Sequence, residues 1–235
     1  LANLENILVQ SSSTAILAAG MTFVLLVAGV DLSVGSLMFL TAAIAGKMGL
    51  AGAPPLAVML TMVAVGVVTG LTHGVIITRT GMNAFIVTLG TLSIGRGAGI
   101  WITKTRAMNL QEEYLVLGSS RLAGIPVPLL VCGIVLSVAH ITLIHTSFGR
   151  QLYAIGHDSA KAAKAGLDTR RLIVTAYVLC GVCAVLGGIL SLSQIGAVSP
   201  GFGLNREFGA IAAAVLGGTS LFGGRGTVLP GSLLG

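Results

Sequence analysis

Residues 148–171 read FGRQLYAIGHDSAKAAKAGLDTRR, a polar, basic insert between two long apolar segments of an otherwise hydrophobic chain. Such an insert has to sit in water, because Arg150, Lys161, Lys164, Arg170 and Arg171 face only Asp158 and Asp168. It also carries the start and stop signals of one short helix. Asp158 or Ser159 can accept a hydrogen bond from the free amides of a first turn, and Gly166 can take the left-handed conformation that ends a helix. The residues between, Ala160, Lys161, Ala162, Ala163, Lys164 and Ala165, are good helix formers. The insert reads as a rigid docking knob on a membrane protein, pushed by something in the cytoplasm.

The surroundings of the insert set its solvent. Of 235 residues, 54% are hydrophobic and 9% charged, and the mean hydropathy is +0.99, whereas about a quarter of a soluble domain is charged. The solvent is therefore lipid. The fold class expected is all-α, a polytopic transmembrane helical bundle with interrupted or re-entrant helices, forming one domain over residues 1–235. The 34 glycines suit close helix approach in lipid. Gly66, Gly70 and Gly74 repeat every fourth residue and fit that role, with chance placement in a glycine-rich chain as the rival reading. Cys132, Cys180 and Cys183 lie in apolar runs, where a thiol packs as a small hydrophobe, and Cys180-x-x-Cys183 lacks the βαβ context of a redox motif. The net charge of +6 sits mostly in short connections, which points to membrane topology and away from nucleic acid. The chain opens at Leu1 without a basic leader and stops at Gly235 as a new apolar segment begins, so a fragment lacking a helix at each end is expected.

A bilayer core of about 30 Å needs around 20 apolar residues of helix. That rule predicts spans over residues 54–78, 84–103, 125–144 and 172–198, with residues 1–13 amphipathic and lying at the interface. Two regions are not simple spans. Residues 14–30 are apolar, then Asp31-Leu-Ser33-Val-Gly-Ser36 interrupts before apolar character resumes over 37–50. Residues 208–222 give only roughly 22 Å of helix before Gly223, Gly224 and Gly226, which reads as a re-entrant half-helix, with Pro230 early in the helix that follows. Backbone freed at membrane depth must be buried in protein or line a cavity. The breaks have similar surroundings: Ala15 and Ile16 precede Gly29 as Ala210 and Ile211 precede Gly224, and Gly35-Ser36-Leu37 matches Gly231-Ser232-Leu233. Paired interrupted segments point to a transport site, chance likeness of two Ala/Gly-rich stretches being the competitor. With the insert inside, Arg79, Arg150, Lys161, Lys164, Arg170 and Arg171 are inner and Lys47, Lys104, Arg106, Arg121 and Arg206 outer. The basic cluster in one inner loop favours this orientation. Residues 104–124, with Glu112, Glu113 and Tyr114, then form the largest external surface.

Asp31 is the one acidic residue embedded between long apolar runs. Such a group is either part of a functional site or, with Ser33, a cap for the helix that starts near Gly35. Arg96, beside Gly95 and Gly97, is expected to snorkel to the interface. His73 has no carboxylate or second histidine at ligand spacing and reads as a bundle-interior histidine. His140 and His145 do not share a face, and neither a zinc signature nor a phosphate-cradling loop occurs. No metal site, catalytic residue or bound ATP is therefore expected of this chain. No acid and base ladder is present to store proton energy, so an uphill movement would draw on another subunit, acting at the helix of residues 159–165.

Three motifs in order carry a resemblance: Gly29-Val-Asp-Leu-Ser-Val-Gly-Ser36, Gly149-Arg-Gln-Leu-Tyr-Ala-Ile-Gly156 with the helix after it, and Ala213-Ala-Val-Leu-Gly-Gly-Thr-Ser-Leu-Phe-Gly-Gly-Arg-Gly-Thr227. Together they resemble the ribose-type permeases of bacterial ATP-binding-cassette sugar importers, within the branched-chain permease superfamily, over essentially the whole chain. The resemblance implies a multi-pass protein of the bacterial inner membrane that moves a monosaccharide inward, pairs with a second permease copy, and receives sugar from an extracytoplasmic binding protein. It implies an ATPase subunit that binds ATP and Mg in place of this chain. Residues 148–171 become the cytoplasmic coupling loop, with Asp158, Ser159, Lys161, Lys164 and Gly166 in the coupling helix. Asp31, Ser33, Ser36, Gly223, Gly224 and Gly226 fall near the translocation path. The family is longer at both ends, and no motif names the sugar. An ATP-independent channel or ion-coupled carrier is the alternative. A membrane enzyme lacks a convergent nucleophile, base and orienting group, and a structural or receptor protein leaves the breaks without a purpose.

Overall fold

In the computed structural model, residues 2–229 are described; the expectations at Pro230, Gly231, Ser232 and Leu233 lie outside them. The helices are α1 (Ala2–Leu26), α2 (Val34–Leu50), α3 (Pro55–Thr80), α4 (Ala84–Thr103), α5 (Val116–Ser119), α6 (Val127–His145), α7 (Ser147–His157), α8 (Ser159–Lys164), α9 (Thr169–Ile195) and α10 (Arg206–Leu216). Four two-residue strands, β1 (Met108–Asn109), β2 (Arg121–Leu122), β3 (Ile125–Pro126) and β4 (Ala197–Val198), form two small ribbons. Among the described residues five helices, α1, α3, α4, α6 and α9, are long and apolar enough to cross a membrane.

Local chemistry sets the ends of the expected spans. Pro55 occupies the first turn of α3, where its missing amide costs nothing, and Gly81 ends that helix in the left-handed region (φ 70°) with its amide on the Ile77 carbonyl. The Asn83 side chain accepts from the Phe85 amide to open α4. Asp168 accepts from the Arg171 amide to open α9, and Gly196 (φ 72°) closes it.

Two expectations about helix extent need correcting. Residues 2–13 are not a segment separate from the span that follows: α1 runs unbroken from Ala2 to Leu26. Its serine run does not break the helix, because the Ser12 hydroxyl turns back onto the Val9 carbonyl at 2.6 Å and the Ser13 side chain is buried. Along the same stretch Gln194 of α9 donates to the Val9 carbonyl at 3.1 Å. The half-helix expected over 208–222 is shorter, since α10 ends at Leu216. There Gly217 and Gly218 (φ 95°) turn their amides onto the Ala213 and Val215 carbonyls.

α9 is the post around which α1 and α3 pack, both antiparallel to it. The glycine ladder of α3 faces it: a Cβ on Gly66 would come 2.8 Å from the Gly181 carbonyl, one on Gly70 2.6 Å from Val178 Cα, and one on Gly74 2.5 Å from Val174 Cα. α1 meets α9 at Gly20, where a Cβ would lie 2.6 Å from Cys183 Cβ. All three cysteines are buried and unpaired by disulfides. α4 packs on α2 through Gly99 against Phe39 and turns Phe85, Ile86, Ile94 and Trp101 outward, as a lipid-facing surface requires.

The bundle has two distinct ends. At one, β1 pairs with β4 (Met108↔Val198), the Tyr114 hydroxyl donates to the Ala53 carbonyl, and Arg121 pairs with Glu5. At the other lie α7, α8 and the 81–83 turn. Arg206 does not belong to the first end as expected: it donates to the Thr14 hydroxyl at 3.0 Å, halfway along α1, because residues 199–205 dip into the bundle before α10 starts. Arg225 sits at the α8 end, in a turn held to the last carbonyl of α1. The basic side chains at the α8 end are thus Arg79, Arg150, Lys161, Lys164, Arg170, Arg171 and Arg225, against Lys47, Lys104, Arg106 and Arg121 at the cap end.

Gly70→Val should overpack the α3–α9 crossing, costing about 1–3 kcal/mol and lowering the melting temperature in detergent. Gly97→Ala, which meets open space on α4, should not. Equal melting temperatures for the two variants would refute the close-packing account.

Candidate functional site

The interruption after α1 is built residue by residue. α1 closes with the amides of Val27 and Gly29 both on the Val24 carbonyl and that of Ala28 on Leu25. Ala28 is left-handed (φ 58°), a conformation uncommon for a residue with a Cβ. Next, Asp31 Oδ1 accepts the Ser33 amide at 2.9 Å and the Ser33 hydroxyl at 2.6 Å, while the Ser36 hydroxyl donates to the Ser33 carbonyl at 2.9 Å. Asp31 therefore shapes the entrance to α2, with Ser33 as the residue before the helix. Its side chain and those of Ser33 and Ser36 are at most 1% exposed, so this conformation seals them from any cavity.

The other oxygen of Asp31 has a partner that no sequence neighbour supplies. His73 Nδ1 of α3 lies 3.6 Å from Asp31 Oδ2, both side chains being 1% exposed. His73 Nε2 shares a hydrogen bond of 2.9 Å with the Thr91 hydroxyl of α4. Tyr177 of α9 sets its ring edge-on to His73, with centroids 6.1 Å apart, and its hydroxyl donates to the Val30 carbonyl at 3.4 Å. His73 is the bundle-interior histidine expected, and what spacing along the chain did not show is that the helices fold it onto Asp31. The sequence clue was that each is an isolated ionisable group in an apolar run; the pairing itself is tertiary.

A second buried acid escaped the sequence reading. Glu207, in the first turn of α10, is 5% exposed and presses on Gly35 so closely that a Cβ there would overlap its Oε2 and the Gly203 carbonyl. The flanking Asn205 and Arg206 made this stretch look like a solvated loop. Nor does Arg96 snorkel. It donates to the carbonyls of Pro200 (3.3 Å) and Phe202 (2.8 Å) and lies over the Phe39 ring at 5.1 Å. The dipping segment has carbonyls that no helix satisfies, and the half-buried Arg96 guanidinium supplies their donors.

The glycine turn docks on the first break. Gly223 and Gly224 are left-handed (φ 84° and 70°) and Gly226 has φ 155°. The Gly224 amide donates to the Leu26 carbonyl at 3.0 Å, one of the free carbonyls at the end of α1. The Tyr153 hydroxyl of α7 donates to the Gly226 carbonyl at 2.7 Å, and a Cβ on Gly156 would overlap the Leu26 carbonyl and the Gly224 amide. Gly223, Gly224 and Gly226 thus gather at the α1 end of the break, whereas Asp31, Ser33 and Ser36 gather at its α2 end.

At the end of the bundle, Asp158 closes α7 and opens α8. Its Oδ1 accepts the Lys161 amide at 2.9 Å and its Oδ2 pairs with Lys161 Nζ at 3.1 Å. The bond from the Lys161 amide leads the effects that hold its carboxyl below the ordinary 3.8. A depressed carboxyl contributes fully above that value and loses its effect only as the pH falls through the lower one, so the cap is intact at neutral pH. Gly166 (φ 87°) ends α8, with its amide on Ala163 and the Leu167 amide on Ala162. Ser159, Lys161 and Lys164 lie on the outer side, and Ala162 is the buried contact. α7 was missed because Gly149 and Gly156 imitate a loop; both are close-contact glycines, and Leu152 and Ile155 bury its inner face. No cluster of metal-ligating side chains occurs among the described residues.

A membrane bundle with two interrupted segments and a short capped helix pair at one end defines a transport permease. Residues 3–234 match the family described as branched-chain amino acid transport system / permease component, and the chain belongs to it. It is 38% identical to the ribose import permease protein of Haemophilus influenzae, over 99% of this chain and 73% of that protein. It is 37% identical to the D-allose transport system permease protein of Escherichia coli (96% and 70%) and 33% to the fructose import permease protein of Rhizobium meliloti (97% and 66%). No solved structure matches it. The chain is accordingly a multi-pass permease component of a transport system, and the relatives it matches are sugar permeases.

Asp31 and His73 should show a coupling energy of about 0.5–3 kcal/mol in a double-mutant cycle with Asp31→Asn and His73→Gln, read by unfolding in detergent. Strictly additive effects would mean that the two side chains do not act on each other.

Proposed function

We propose that this chain is the spanning subunit of an ATP-driven importer, receiving a monosaccharide, ribose-like or another sugar, from an extracytoplasmic binding protein and releasing it into the cytoplasm. The observation that carries the reading is α8: a short helix capped at both ends, seated on the bundle by Ala162 and presenting Lys161 and Lys164 outward. Basic side chains gather at that end, which supports a cytoplasmic location for it by the positive-inside bias. An ATPase subunit binds there and holds ATP and Mg, and a second copy of the permease completes the path.

In this reading Asp31, Ser33, Ser36 and the turn of Gly223, Gly224 and Gly226 border the path, and the sealed state of the first three corresponds to one closed arrangement. Closure of the ATPase pushes α8, and the rigid-body response opens the path to the other side. α8 has to be stiff for that.

Ala162→Pro removes the Ala162 amide's bond to Asp158, and Gly166→Pro demands a φ that proline cannot reach. Each should leave the permease in the membrane and reduce ATP-driven sugar uptake by at least about ten-fold. Normal uptake in both would refute the assignment, as would uptake that persists without the ATPase. Asp158→Asn, which keeps the cap and gives up an exposed ion pair of little worth, should transport better than Asp158→Ala. The same uptake assay, normalised to membrane level, checks the order.

A further inference from the structure

We infer that Tyr153 and Gly156 of α7 form the joint that passes movement of α8 to the interrupted segment between α1 and α2, an inference that rests on reading α8 as the ATPase-docking helix. No flexible linker separates the two helices, since Asp158 ends α7 and starts α8. α7 is anchored to the bundle by buried Leu152 and Ile155, so it moves as a body with what it touches.

What it touches is the glycine turn and, through that turn, the end of α1. The Tyr153 hydroxyl holds the Gly226 carbonyl at 2.7 Å. The turn's Gly224 amide holds the Leu26 carbonyl at 3.0 Å. Gly156 lies against both members of that second bond, with no room for a single added methyl. Sliding α7 past the turn would break one hydrogen bond and squeeze another at Leu26, which is sealed from water. The turn itself resists deformation, because three of its residues need backbone angles that glycine alone adopts readily.

The far side of the break is held differently. Asp31 is tied to Ser33 and to His73 of α3, so the segment 27–30 lies between a part carried by α7 and a part fixed to α3. Ala28, left-handed and exposed in the middle of that segment, is where the strain would fall. Tyr153 and Gly156 are positioning residues: they fix how far the break moves and do not touch the sugar.

The test uses the assembled importer, permease with ATPase and binding protein, in proteoliposomes, and reads sugar delivered per ATP hydrolysed. Gly156→Ala and Tyr153→Phe should each lower that ratio by roughly two- to thirty-fold, with complexes recovered in normal amounts. The second readout is the thiol-labelling rate of Ala28→Cys, whose background is low because Cys132, Cys180 and Cys183 are buried. ATP should change that rate in the otherwise unaltered protein and not in the Tyr153→Phe background. A normal ratio and a normal ATP-dependent labelling change in Tyr153→Phe would overturn the joint. Should Gly156→Ala fail to assemble, Tyr153→Phe decides, since it removes one hydroxyl. Ala162→Pro is the control for the premise: if it uncouples while both α7 variants are normal, the joint is wrong and the docking helix stands. If Ala162→Pro is itself normal, the docking reading has failed.

Discussion

The hydrogen bond from the Gly224 amide to the Leu26 carbonyl is the contact on which the rest of the architecture depends. A helix that ends leaves its last carbonyls without intrahelical partners, and Leu26 is buried, so water does not serve its carbonyl. The chain answers with a second interrupted segment whose glycine turn brings an amide to the first. Each break thereby satisfies the other, and neither could be built alone. α7 then closes over both, which accounts for Gly156 having no side chain and Tyr153 having a hydroxyl.

The same requirement explains the polar groups elsewhere in the apolar interior. Arg96 supplies donors to the carbonyls of Pro200 and Phe202 where the chain dips before α10. Asp31 supplies an acceptor to the Ser33 amide where α2 begins, and His73 with Thr91 completes the cluster across α3 and α4. These side chains mark irregular backbone, and regular stretches of the bundle manage with serine and threonine hydroxyls turned onto their own helices.

Much of this could be read in the sequence. The spans α3, α4, α6 and α9 follow from the length of apolar runs and from Pro, Gly, Asn and Asp at their ends. α8 follows from Asp158 and Gly166 framing an Ala/Lys stretch, since caps are local signals. What stayed hidden was tertiary. His73 and Asp31 are far apart in the chain and meet only because α3 packs on α9 through its glycine ladder. The continuity of α1 was masked by its polar first half, which ends in the buried Ser12 and Ser13, and α7 by two glycines that serve packing. Arg96 was misread and Glu207 passed over because their partners are backbone atoms of a distant loop and a glycine.

α8 contains six residues, well below the length at which a helix persists by itself in water. Its order is borrowed from Ala162 resting on the bundle, from Asp158 at the end of α7 and from the turn at Gly166. A synthetic peptide copying residues 158–166 would consequently be a disordered strand in solution and a poor competitor for any protein that grips this helix. A surface offered by this helix exists only as a projection of the folded membrane domain, so loss of the bundle's shape would silence any contact made there without altering one of its residues.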